Sequence, residues 1–174
     1  MKPYIVTYAG VPGSSKSIVA HHLSVAFSLP IFSTDNIRFE VKEDLRAADI
    51  TLPEPLREYE RRYDERWEAL LASGKSCIFD ASMDRRWETV KQQLVEAGYD
   101  WYLIDMELSR DFLLELYGST KRQKAIEELD AYLRQHKMFI ERYAADVSLQ
   151  IDDQGFAKRL QLAENGLRTF LEAK

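Results

Sequence analysis

Two periods of apolar residues alternate along the chain: short, nearly continuous runs, and longer stretches with apolar positions three and four apart. Residues 3–9 form the first run, rich in β-branched and aromatic types and closed by a Gly and Pro turn, which predicts a buried strand. Over residues 17–29, Ile18, Ala20, Leu23, Ala26 and Phe27 predict a helix that stops at Pro30. Residues 29–33 predict a short second strand ending by Asp35. Asp35 and Asn36 then offer the polar groups that begin a turn or helix, with Asp35 a candidate N-cap. Thr51 and Glu54 have the spacing of a capping box. Leu56, Tyr59, Tyr63, Trp67 and Leu70 follow as a helical stripe that core packing explains and a substrate pocket would also suit.

The alternation continues with a strand over residues 76–79, then a helix carrying Trp87, Val90, Leu94 and Ala97 and ended by Gly98. Residues 101–106 are a fourth run, broken only by Asp105, and Ser109 caps a helix that starts at Arg110 and Asp111. Residues 147–151 predict a fifth strand. Phe156, Leu160, Ala163, Leu167 and Phe170 mark the apolar face of a terminal helix. Strands alternating with helices predict an α/β fold with a parallel sheet.

Residues 117–143 are charge-rich and helical in pattern, with Lys121, Arg122, Lys124, Arg134, Lys137 and Arg142. They are a candidate lid, or else a solvated helix pair in which Glu127, Glu128, Asp130 and Glu141 neutralise the bases. No repeat or low-complexity linker divides the 174 residues, so a single domain over 1–174 is expected.

Composition narrows the function classes. Lys and Arg number 24 against 29 Asp and Glu, a net charge of −5, so no global attraction draws the chain to nucleic acid or an acidic membrane; only a local basic pocket would. The lone Cys77 cannot form an intramolecular disulfide and reads as a buried structural residue. No secretory signal pattern and no run of about 18 apolar residues occurs, so a cytoplasmic location without a membrane helix is expected. His21, His22 and His136 lack the spacing of a metal cage, and no Ser or Cys has the partners of a covalent hydrolase.

The strongest chemical signal is Gly10-Val11-Pro12-Gly13-Ser14-Ser15-Lys16-Ser17. It has the spacing of a nucleotide-binding phosphate loop, with Ser15 where glycine normally precedes the lysine. The segment leaves a strand and enters a helix, so its backbone N–H groups and the helix N-terminus can surround phosphate oxygens. Lys16 supplies positive charge, Ser17 a hydroxyl oxygen for Mg²⁺, and the glycines allow close backbone approach.

With Ser33-Thr34-Asp35-Asn36-Ile37-Arg38 and Cys77-Ile78-Phe79-Asp80 added, the chain resembles phosphate-loop kinases of the zeta-toxin, polynucleotide-kinase and chloramphenicol-phosphotransferase group. The resemblance implies a three-layer fold with a five-stranded parallel sheet and a helical lid, and transfer of the terminal phosphate of ATP, with GTP as the alternative donor, to an alcohol. It assigns Asp35 the role of the carboxylate that orients or deprotonates the acceptor hydroxyl, and Arg38 a place in the substrate-side motif. It makes Asp80 the acidic residue supporting Mg²⁺ and its water shell. Arg85 and Arg86 then approach substrate or structural carboxylates, or are simply solvated. Among basic residues after the fourth strand, Arg110, Lys121, Arg122 and Lys124 are candidates for neutralising the transferred phosphate, and Arg122 is the catalytic choice. The expected function is a Mg²⁺-assisted kinase acting on a small-molecule hydroxyl, as a monomer or small homo-oligomer. Alternatives are a polynucleotide 5′-hydroxyl kinase, less favoured by the charge, or a nucleotide-binding protein with weak NTPase activity.

Overall fold

In the computed structural model, which describes residues 2–120 and 126–174, the five apolar runs lie side by side as parallel strands. They are β1 (Tyr4–Ala9), β2 (Ile31–Ser33), β3 (Cys77–Ser82), β4 (Asp100–Glu107) and β5 (Val147–Asp152), in spatial order β2-β3-β1-β4-β5. Helices bounded within the described residues are α1 (Lys16–Phe27), α2 (Thr34–Asp44), α3 (Pro53–Ser73), α4 (Trp87–Glu96), α5 (Arg110–Thr120), α6 (Leu129–Tyr143) and α7 (Arg159–Glu172).

Strand periodicity divides the core into two layers. Tyr4, Val6 and Tyr8 of β1 point to one face, where Val19, Ala20 and Leu23 of α1 and Ala163 and Leu167 of α7 cover them. Ile5 and Ala9 point to the other, beneath Trp67 of α3, Trp87, Val90 and Leu94 of α4 and Phe139 of α6. A strand covered on both faces has no reason to alternate with polar residues, which is why β1 reads as a continuous apolar run. Cys77 is buried in the second layer, and its thiol is pushed up to about 12 by that burial.

Several element boundaries differ from the sequence expectation. Strand β2 begins at Ile31 and stops at Ser33, and Ser33 rather than Asp35 is the N-cap of α2: its Oγ accepts from Asn36 N at 3.3 Å. This leaves Asp35 in the first turn, its carboxylate not consumed by capping. The Thr51–Glu54 capping box does not form. Leu52 is the N-cap of α3, Pro53 fixes its first turn, and Thr51 N donates instead to Asp49 Oδ1 at 2.9 Å. The Ser109 cap does form, its Oγ accepting from Phe112 N at 3.3 Å. The terminal helix begins at Arg159, after a 3₁₀ turn at Phe156–Lys158.

Strand β3 is longer than its apolar run because it continues through an irregularity. Val6 pairs with Ile78 but Tyr8 pairs with Ser82, so residues of β3 bulge away from β1 between them. Asp80 lies in that bulge, level with Ser33 of β2. The chain leaves β1 toward β2 on one side, and β4 lies on the other, so the carboxyl end of β1 is where the connections diverge and a crevice opens. No helix among the described residues is long and apolar enough to cross a membrane.

Candidate active site

The loop from Gly10 to Ser15 occupies that crevice, and nearly every residue in it is held by a named contact. Gly10 has φ 123°, and a Cβ there would lie 2.9 Å from Met106 O and 3.0 Å from Met106 Cβ, so only glycine fits. Its N–H donates to Asp84 Oδ2 at 3.0 Å. Val11 is buried against Leu113 and Tyr117 of α5, and the Tyr117 hydroxyl donates to Pro12 O. Ser14 is fully buried, and its N–H donates to Val11 O at 3.3 Å. Lys16 Nζ folds back over the loop, donating to Gly10 O and Val11 O at 2.6 Å each and to Ser14 Oγ at 3.2 Å. An ammonium already seated in a ring of oxygens is placed to exchange some of them for phosphate oxygens.

Ser15 stands where the sequence pattern expects glycine, and its backbone keeps the glycine conformation, φ 76°. A left-handed L-residue costs roughly 1–2 kcal/mol. The Ser15 side chain does not cap α1; its Oγ accepts from Arg159 Nε at 2.9 Å, while Arg159 Nη1 donates to Phe156 O at 2.9 Å. Arg159, at the start of α7, is a contact that sequence reasoning missed, because nothing in the local sequence links positions 144 residues apart.

Ser17 Oγ donates to Asp80 Oδ1 at 3.1 Å. Burial raises the Asp80 carboxyl pKa, and the Asp35 carboxylate raises it further, against lowering by Ser17, His21 and Lys16; the net direction is upward. Lys16, Ser17, Asp35 and Asp80 therefore lie within one electrostatic neighbourhood, although they come from three strand ends. Asp35 is largely exposed, with Arg38 Nη1 3.5 Å from its Oδ1, and the Arg38 guanidinium lies over the Tyr59 ring of α3 at 5.3 Å.

The donor chemistry suits both expected ligands. A Cβ-intolerant loop opening onto the N-terminus of α1 is a cradle for phosphate oxygens. Ser17 and Asp80 are hard oxygen donors that meet through a hydrogen bond at the start of α1. That pattern fits Mg²⁺, which keeps waters and substrate phosphates and takes few protein ligands.

Arg85 and Arg86 turn to protein partners: Arg85 Nε donates to Gln135 Oε1 at 2.6 Å, and the Arg86 guanidinium lies 5.6 Å from the Tyr63 ring centroid. Arg110 pairs with Asp130 at 2.9 Å and Arg142 with Glu88 at 2.6 Å. Of the expected lid, Tyr117 is buried and α6 packs on the sheet through His136 and Phe139, while Lys121, Arg122 and Lys124 lie outside the described residues.

No protein-family model and no curated protein matches the chain. Solved structures match over almost its whole length. A presumed kinase from Chloroflexus aurantiacus is 18% identical, with 99% of this chain and 97% of that one covered and a TM-score of 0.68. Shikimate kinase from Acinetobacter baumannii is 18% identical, covering 99% and 94%, with a TM-score of 0.63. A chain from the PezAT chromosomal toxin–antitoxin system of Streptococcus pneumoniae is 12% identical, covering 97% and 87%, with a TM-score of 0.61. The loop, the strand order and these matches together give the chain an α/β fold of the phosphate-loop NTPase-like architecture, a five-stranded parallel sheet flanked by helices, which it shares with these structures.

Proposed function

We propose that the chain is an ATP-dependent phosphotransferase acting on a hydroxyl group of a small molecule. The observation that carries this reading is the shared neighbourhood of Lys16, Ser17, Asp80 and Asp35, a phosphate-gathering cation and metal-suited oxygens beside an exposed carboxylate. The loop amides and Lys16 would hold the terminal phosphates, and Ser17 and Asp80 would hold Mg²⁺. When bound, that ion neutralises charge on the phosphate oxygens. Asp35 accepts a hydrogen bond from the acceptor hydroxyl and takes its proton as the new P–O bond forms and the bond to ADP breaks. Arg38, pinned by Tyr59 and facing Asp35, orients the acceptor. Arg122 remains the resemblance-based choice for neutralising the moving phosphoryl group.

The net charge of −5 favours a small acceptor over a long nucleic acid. A left-handed Ser15 keeps one second reading in view, a nucleotide-responsive protein with weak NTPase activity. A broad acceptor screen with labelled ATP and GTP separates the two. The kinase reading expects ADP formation matched by a phosphorylated product, and slow, acceptor-independent hydrolysis across the panel would overturn it.

A further inference from the structure

Beneath the phosphate loop three titratable side chains meet in the core. His136 of α6 has its Nδ1 2.6 Å from Asp84 Oδ1 and its Nε2 3.1 Å from Asp105 Oδ1 of β4, the second contact off line for a hydrogen bond. The side chains of His136, Asp84 and Asp105 are 8%, 9% and 0% exposed. Gln150 Nε2 donates to the other Asp105 oxygen at 3.2 Å, and the Phe139 ring lies nearly parallel to the imidazole. Among the described residues, the charged groups that pair with the ring are these two carboxylates, from the β3–α4 connection and from β4.

The second oxygen of Asp84 accepts from Gly10 N at 3.0 Å, and Ser82 Oγ reaches both that oxygen and Gly10 O. Gly10 O in turn accepts from Lys16 Nζ at 2.6 Å. A chain of direct contacts therefore runs from α6 to the lysine that gathers phosphate: His136, Asp84, the Gly10 peptide, Lys16. Burying three charges is a poor route to stability alone, since well-packed apolar residues usually serve as well or better. What the charges supply is a fixed direction for the Gly10 peptide. A protonated ring also places a positive charge against the Asp84 carboxylate, whereas a neutral ring would leave that carboxylate unneutralised directly behind a loop meant for anions.

We propose that His136 is a positioning residue that, clamped between Asp84 and Asp105, sets the first peptide of the phosphate loop and so tunes nucleotide binding. The proposal rests on the kinase reading for its consequence but not for its geometry, and the two are tested apart. The first measurement is the Gly10 amide resonance and the His136 ring nitrogens by ¹⁵N NMR in the full chain and in His136→Gln. A doubly protonated ring at neutral pH and a displaced Gly10 amide in the variant are expected. A ring that is neutral at pH 7, or a Gly10 amide that does not move, would overturn the proposal whether or not the protein is a kinase.

The second measurement is Mg–ATP affinity. His136→Gln and Asp105→Asn are expected to weaken it about tenfold, with the acceptor KM unchanged; wild-type affinity is expected to fall as pH rises through about 9, and that fall is expected to be absent from His136→Gln. Folded variants that bind Mg–ATP like a binding-competent wild type, with the same pH profile, would reduce the cluster to a structural role and overturn the proposal. If His136→Gln does not fold, Asp105→Asn and the wild-type pH profile carry the test. If the wild type binds no nucleotide, the kinase reading fails and the Gly10 resonance alone decides the positioning claim.

Discussion

Arg159 Nε donates to Ser15 Oγ across 2.9 Å, joining the start of α7 to the one phosphate-loop residue that departs from the glycine pattern. The departure keeps the backbone shape, φ 76°, and adds a hydroxyl that grips an arginine. Glycine at position 15 would relieve roughly 1–2 kcal/mol of left-handed strain but would release Arg159. Ser15→Gly is therefore expected to change stability by no more than about 1 kcal/mol. A double-mutant cycle with Arg159→Ala measures the bond: a coupling of about 1 kcal/mol is expected, and strictly additive melting shifts would show that it contributes nothing.

Asp80 gives a case where stability and function oppose one another. Burial and the neighbouring Asp35 lift its carboxyl pKa, so its ionised form is disfavoured in the folded state, and its contribution falls as pH rises through the carboxylate range. Asp80→Asn removes that penalty while keeping an oxygen for the Ser17 hydroxyl. The expected outcome is stability equal to wild type or higher by up to about 1 kcal/mol, after discounting for solvent screening. Turnover falls by roughly 10² with a higher Mg²⁺ requirement. Urea melts and Mg²⁺ titrations of activity check both halves, and a variant both less stable and fully active would contradict them.

Asp35 stands apart because so little of the fold rests on it. Its side chain is 85% exposed and Ser33 does the capping, so Asp35→Asn should leave stability within about 0.5 kcal/mol of wild type. Nucleotide affinity should also hold. Acceptor-dependent turnover should drop by about 10²–10⁴ if the carboxylate takes the acceptor proton. Unchanged turnover with a confirmed acceptor would remove Asp35 from that role.

The fold and the loop were legible in the sequence because both are local. Two-sided burial makes β1 and β4 continuous apolar runs, and the phosphate loop is a contiguous stretch in which Gly10 must avoid Met106 and Lys16 must fold back. What escaped depends on distant pairing. The Ser33 cap was not read: Ser and Asp both cap well, and only the paired strand of the fold sets which of the two stands at the helix start. The bulge that presents Asp80 has no signature in residues 76–82 alone. The His136 cluster did leave traces: Asp105 interrupts an otherwise apolar strand, and His136 falls on the same helical face as Leu129 and Phe139, the buried face of α6. A charge in a buried strand and a histidine on a buried face each demand a partner, and reading them together would have paired them.

The same cluster predicts how stability responds to alkali. Burial disfavours the charged His136 ring, but Asp105 and Asp84 outweigh it and lift its pKa to about 9. For Asp84, burial pushes upward, while His136, Ser82 and the Gly10 N–H more than compensate and bring it to about 2. An unfolded histidine titrates near 6.5, so the folded state holds a proton that the unfolded chain releases between about 6.5 and 9. The resulting stabilisation is whole below the unfolded value, shrinks as pH rises through this window, and is gone above it. Its size is on the order of 3 kcal/mol. For Asp84 the sense is reversed: its contribution is present above the ordinary carboxylate value and is lost as pH falls through about 2. Urea unfolding from pH 6 to 10 should therefore show wild-type stability declining toward pH 9 and levelling beyond it. His136→Gln, less stable at pH 6, should decline less. Parallel curves for the two proteins would mean that His136 carries no excess proton in the folded state.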